Sequence, residues 1–211
     1  PKDAACAEGY APSKDAPVLQ FKAKNPGAWG DNIRIVITPS SKARTQILEI
    51  IDTTEGKKYL VKNGAGFNPG DVVMYTDQTT VIYNKVLKNR DNIISFQEEF
   101  DDTVVDKNLL PSKVLTTCEF AVEVSYDGNV EFYDNVSFNI ESPNYIDKKL
   151  DKSDLVEAHY IGTQGEEIKP PFAEIAGEGE VVASVGMAGG SNGSVSTITA
   201  ADFIGEDRGA G

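Results

Sequence analysis

Histidine is almost missing from this chain: 211 residues hold one, His159, beside two cysteines, Cys6 and Cys118, and one tryptophan. Zinc sites draw about four ligands from His, Cys and carboxylates at short spacing, and this inventory cannot supply the usual set. A Ser-His-Asp or Cys-His arrangement would have to run through His159. That residue lies in Ala158-His159-Tyr160, inside an expected strand, so a structural or solvent-facing histidine is the reading. Cys118 falls in the alternating series Cys118, Phe120, Val122, Val124 and reads as a small buried residue. Whether it pairs with Cys6 is left open, because a disulfide needs Cα atoms within about 7 Å.

Positive charge is scarce too. Twenty Lys and Arg face 33 Asp and Glu, for a net charge of −13. A phosphate-binding surface needs clustered Lys and Arg, so nucleic acid is not an expected partner. No apolar run approaches the ~20 residues of a membrane helix, so no membrane span is expected. The acidic run Glu98-Glu99-Phe100-Asp101-Asp102 lacks the glycine and alternating spacing of a calcium loop and reads as solvated. The glycine-rich stretch from Val185 to Ser194 has no Gly-Lys-Ser/Thr ending and no strand-to-helix frame, which argues against a phosphate loop. No cofactor, metal or catalytic set emerges, and the chain reads as a non-enzyme.

What is present is β-pattern. Strands are expected at 32–38, 46–52, 57–62, 71–75, 80–87, 92–97, 114–126 and 130–140. In 114–126, Glu119 and Glu123 fall on the face opposite Phe120, Val122 and Val124. Asp127-Gly128-Asn129 should close a hairpin into Val130. One-faced patterns of this kind predict a mainly β fold, an antiparallel β-sandwich. Residues 1–20 read as a linker or edge segment. Residues 21–62 with 113–160 read as the sandwich, and 63–112 as a small nested β insertion framed by turn clusters. Ser142-Pro143 reads as a helix N-cap and first helical position, with Tyr145, Ile146 and Leu150 on one side. A strand through Leu155 to Ile161 follows. Residues 161–211, Gly- and Glu-rich and interrupted by Lys169-Pro-Pro171, read as a linker into a further module. Thr199 and Asp202 suggest a helix start within it.

Three motifs stand out. In the first, Lys24-Asn-Pro-Gly-Ala-Trp-Gly-Asp-Asn-Ile33, Pro26 and Gly27 spell a type II turn needing positive φ at Gly27. Trp29 reads as a packing anchor for the corner, while Gly30 and Asn32 let the chain bend again into a strand. The second joins Phe132-Tyr-Asp134-Asn135-Val-Ser-Phe138 to Ser142-Pro143-Asn144-Tyr145-Ile146. The third joins Gly189-Gly190-Ser-Asn-Gly193 to Thr199-Ala-Ala-Asp202-Phe-Ile-Gly205. In this order they resemble the PGxxGN/D, DN(V/L)S…SPNYV and GGSDG…DYIG stretches of contractile-tail sheath proteins, the outer-tube subunits of myophage tails and related injection machines.

That resemblance implies an interior portion of a longer polypeptide, with α+β character toward its C-terminal end, leading into the start of a subtilisin-like α/β sheath domain. A likeness of fold does not bring protease chemistry with it. It also implies partners: other copies of the subunit in a helical stack of rings, the tail tube protein, the baseplate and the tail terminator. Localisation would be the virion tail, and the host cytoplasm during assembly. The alternative is a β-rich virion or cell-surface binding module recognising glycan or protein, which the strand pattern alone does not distinguish.

Overall fold

The computed structural model describes residues 3–12, 14–15, 17–77, 80–100, 113–162 and 183–194. In chain order the strands are β1 (Glu8–Pro12), β2 (Pro17–Ala23), β3 (Arg34–Ser40), β4 (Arg44–Thr53), β5 (Gly56–Val61), β6 (Val72–Thr76) and β7 (Val81–Arg90). They continue with β8 (Ile93–Phe96), β9 (Val114–Thr117), β10 (Glu119–Tyr126), β11 (Asn129–Val136), β12 (Val156–Tyr160) and β13 (Ala183–Gly186). One short helix, α1 (Ile146–Leu150), precedes β12. The described chain is mainly β, and every strand pairing is antiparallel.

The strands make two bodies with separate cores. A three-stranded sheet, β1-β2-β12, and a four-stranded sheet, β11-β10-β3-β13, share one core that includes Leu19, Phe21, Ile35, Ile37, Val122, Val124 and Val156. Period-2 alternation puts those residues inward: β2 buries Leu19, Phe21 and Ala23 and leaves the residues between them partly exposed. After β13 the chain crosses from one sheet to the other, since Ala188 bridges Glu8 and Ser191 bridges Ala5. The helix covers the opposite side, with Ile146 and Leu150 fully buried.

The second body is a closed six-stranded barrel, β4-β5-β8-β7-β6-β9. Its core is aromatic: Tyr59, Phe96 and Phe100 lie with ring centroids 5.0–5.2 Å apart. Closure removes free sheet edges. The barrel leaves the two-sheet body after β3 and returns at β10, where Ser40 and Glu119 stand opposite each other in register.

Several sequence expectations need correction. The barrel spans β4 to β9, residues 44–117, so the boundaries drawn at 62/63 and 112/113 miss β4, β5 and β9. All three alternate like sandwich strands, and alternation does not reveal which core a strand faces. The single strand expected at 114–126 is two, broken at Cys118 where the chain passes between bodies. Glu119 is 5% exposed instead of solvent-facing, because the barrel covers that end of β10. Residues 1–20, read as a linker or edge segment, hold β1, an edge strand of its sheet, and the start of β2, with Ala7, Ala11 and Leu19 in the core. Within 161–211, residues 183–191 return to the first body instead of leaving it. The Asp127-Gly128 hairpin is present, with φ of 48° and 81° and Tyr126 opposite Asn129.

Candidate functional site

The first and third motifs meet. Ala28–Asn32 forms one turn of 3₁₀ helix instead of the second half of a type II turn. Gly27 precedes it at φ 144°, ψ 152°, a region that side chains with a Cβ avoid. A Cβ there would also lie 2.5 Å from Trp29 Cδ1. The Trp29 ring packs edge-on against Tyr126 of β10, 5.1 Å between centroids, and its indole N–H points to Pro26 O at 3.4 Å. Its contact is therefore with β10, one strand beyond the β3 it introduces. Gly30 is buried, and a Cβ on it would stand 2.9 Å from the Ala7 methyl.

Onto this corner folds Gly189–Asn192. Gly190 N donates to Asp31 Oδ1 at 2.7 Å, and Ala28 N donates to Asn192 Oδ1 at 3.0 Å. A Cβ on Gly190 would strike the Gly27 carbonyl oxygen, so glycine here permits close backbone approach. The N-terminal segment completes the clasp: Ala5 N donates to Ser191 O at 3.1 Å, and Ser194 N to the Asp3 carboxylate at 3.0 Å. Gly193 follows at φ 68°. Asn32 is exposed at the end of the turn. Asp202 and Gly205, with the expected helix start at Thr199, lie outside the described residues.

Residues Gly189–Gly193 also spell Gly-x-Ser-x-Gly, the string of a nucleophile elbow. The geometry here is different. Ser191 Oγ accepts from Ala5 N at 3.1 Å and donates to Asp3 O at 3.4 Å. His159 instead faces Asp147 of α1, Nδ1 to Oδ2 at 3.0 Å, with Tyr160 N also donating to that carboxylate. Asp147 thus ties α1 to β12, and the structure does not join Ser191 and His159 into one constellation.

The second motif is a pair of backbone devices. Asp134 and Asn135 form a bulge opposite Ala121, with Asn135 at φ 52° and its amide oxygen accepting from Ser40 Oγ at 3.2 Å. The bulge kinks β11; pairing resumes at Val136 opposite Phe120 and the strand ends there, short of the expected 140. Ser142 is not a helix cap. Its Oγ accepts from Asn144 N and its carbonyl from Tyr145 N, a turn that delays the helix to Ile146, and Pro143 sits exposed within it. Tyr145, Ile146 and Leu150 do face the core.

A fourth locus has no counterpart in the sequence reading. Where the chain crosses between bodies, Lys42 Nζ lies 2.7 Å from Asp71 Oδ2 and 3.4 Å from Glu119 Oε1. Asn139 Nδ2 donates to Asp71 Oδ1 and to Pro69 O, both at 2.9 Å, and Asn68 N donates to Asp71 Oδ2 at 2.8 Å. Asp71 is 1% and Asn139 7% exposed. This network bolts the barrel's β5–β6 loop to the loop after β11. Burial, with Asp71 adding a small part, pushes the Glu119 carboxyl up against the opposing pull of Lys42 and Thr117. The one local signal is Asn68-Pro-Gly-Asp71, one of the turn clusters that frame the expected insertion, and turn chemistry by itself accounts for its aspartate.

Cys6 and Cys118 are both free. Cys118 is half-buried as a residue, and burial of its sulfur, with Glu119 beside it, pushes the thiol up to about 12. Phe100, in the acidic run, is a barrel core residue whose N–H donates to Tyr59 OH at 3.0 Å. Asp101 and Asp102 lie outside the described residues. Among the described residues, no group of three His, Cys, Asp or Glu stands close enough to hold a metal ion, and no helix is long and apolar enough to cross a membrane. No family model, curated protein or solved structure matches the chain.

Proposed function

We propose that this chain is the β-sandwich part, with its nested barrel, of a contractile tail sheath subunit, continuing into a subtilisin-like domain. On this reading it polymerises with other copies around a tail tube, between baseplate and terminator, and the sleeve shortens to drive the tube through a target envelope. It works in the virion tail, assembles in the host cytoplasm, and carries out no catalysis.

One observation carries most of the support. Two of the three motifs that bear the resemblance are 164 positions apart, yet they interlock through Asp31–Gly190 and Ala28–Asn192. Motifs that cooperate in one corner are expected to occur together in a family, whereas chance turn words need not touch. The architecture suits a part that works under mechanical stress. Two packed cores joined by a buried ionic network move as rigid bodies while contacts between subunits switch.

The test is to express the full gene product and image it by negative stain. Tubes in a long and a short state are expected. Dispersed particles that instead bind glycan or a surface protein would favour the binding-module alternative.

A further inference from the structure

Two surfaces of this chain are both apolar and solvent-facing, and their charges differ in sign. On the two-sheet body, the outer side of β11 presents Val130 and Phe132, 61% and 63% exposed. No other large apolar side chain among the described residues is as exposed. Phe132 stands opposite Glu123, and Glu123 opposite Val36 of β3. Exposed Asp134 follows on the same strand and exposed Asp127 marks the hairpin tip, while Arg34 is the cation bordering the face.

On the barrel, the outer side of β5, β8 and β7 holds a groove of about 620 Å³. Register sets Ile93 opposite Arg90 in one row of it, with Lys88 beside Ser95 in the next. A bulge pushes out Leu87, 55% exposed. Lys57, Lys58, Lys88 and Arg90 outnumber the groove's three carboxylates, Glu55, Asp91 and Glu99. Two of those carboxylates are already paired, Glu55 with Lys58 at 3.1 Å and Asp91 with Arg90 at 3.5 Å.

Charge is divided the same way along the chain. Residues 44–117 contain nine Lys and Arg against eleven Asp and Glu, a net of −2, which leaves −11 of the −13 to the rest. Two bodies facing each other therefore repel most, whereas the acidic Phe132 face and the locally basic groove attract each other. A nucleic acid is the wrong occupant for the groove, since its lining shows no exposed ring on which a base would stack.

We propose that the Phe132 face of one copy docks against the Leu87–Arg90 groove of the next, an inference that rests on reading the chain as a self-assembling subunit. Phe132 and Val130 cover the aliphatic floor, and Glu123 and Asp134 meet Lys88, Lys58 and Arg90. The two surfaces are different patches of one molecule, so the contact is head-to-tail and extends copy after copy instead of closing a dimer.

The experiment mixes unlabelled and ¹⁵N-labelled chains at high concentration and joins lysines to carboxylates with a zero-length carbodiimide. Mass spectrometry then separates mixed-isotope from same-isotope products. Mixed products joining Lys58 or Lys88 to Glu123, Asp127 or Asp134 are expected. Arg90→Glu, which leaves Lys58 and Lys88 in place as the reacting amines, should cut their yield about tenfold through like-charge repulsion. Adding a partner carrying Glu123→Lys, with Asp127 and Asp134 kept as reacting carboxylates, should restore the links to those two aspartates, which also shows that the variants fold. Same-isotope products alone, or a mixed yield indifferent to charge reversal, overturn the contact. The same cross-linking on assembled sleeves separates the two claims. Contracting sleeves without these links overturn the contact and spare the sheath reading; links from a protein that builds no sleeve do the reverse.

Discussion

Asp31 holds Gly190: its carboxylate accepts the glycine N–H at 2.7 Å across 159 positions of sequence. The bond ties the corner before β3 to the strand that returns after the barrel and the helix have been built, so it closes the two-sheet body. Gly27, beneath Trp29, makes the corner sharp enough for that closure.

Gly27→Val should lower stability by about 1–3 kcal/mol, because φ 144° strains a β-branched residue. Its Cβ also meets the indole, so the loss should exceed that of Asp31→Ala, which removes one exposed charge-assisted hydrogen bond worth roughly 1 kcal/mol. Urea unfolding followed by Trp29 fluorescence measures both. An unchanged midpoint for Gly27→Val would refute the account of the corner.

Lys42 is the bolt between the two bodies. Lys42→Met leaves Asp71 and Glu119 as adjacent buried carboxylates without their shared cation, a loss of about 3–5 kcal/mol. Adding Asp71→Asn and Glu119→Gln should recover much of it, since the uncompensated charge is then gone. Calorimetry of the single and triple variants gives the comparison. Equal melting temperatures for Lys42→Met and the unaltered chain would mean the network contributes nothing.

Glu119 also sets a pH signature. Its folded-state carboxyl titrates above its ordinary 4.5, chiefly through burial. Between those values the folded state binds more protons than the unfolded state, so this residue's contribution falls as pH rises. Over a window opening near pH 4.5 and extending upward, stability of the unaltered chain relative to Glu119→Gln should therefore decline with rising pH. A flat or rising difference would reverse the assignment.

Excision tests the boundary. Ser40 and Glu119 are register partners, so replacing 41–118 by a two-residue Gly-containing turn converts β3–β10 into a hairpin. The two-sheet body should keep cooperative unfolding. A cut at 64–111 should behave worse, because it strands β4, β5 and β9 without the rest of their barrel. If both deletions lose cooperativity, the two cores are not independent.

How much of this was legible depended on range. Ile35, Ile37, Phe120, Val122 and Val124 announced their strands because alternation is local, and Asp127-Gly128 announced its hairpin for the same reason. The barrel's extent was not legible: Ile47 and Tyr59 alternate as any sandwich residue does, and only pairing of β4 with β9 reveals their core. β1 and β2 hid among prolines at the chain start. Glu119 looked solvent-facing because its strand position is outward, and what meets it is Lys42, 77 positions away, with Asp71 close by. The motif glycines were visible as turns. That Gly190 sits against Gly27 required the fold.

The most direct measurement of the central claim is to image assembled tails before and after triggering, with the barrel located by a bound Fab or a fused tag. The account predicts this chain in the outer sleeve in both states, its two cores unchanged within each subunit while spacing between subunits shortens. Its absence from the contracting sleeve, or turnover by the purified chain that His159→Ala abolishes, would contradict it.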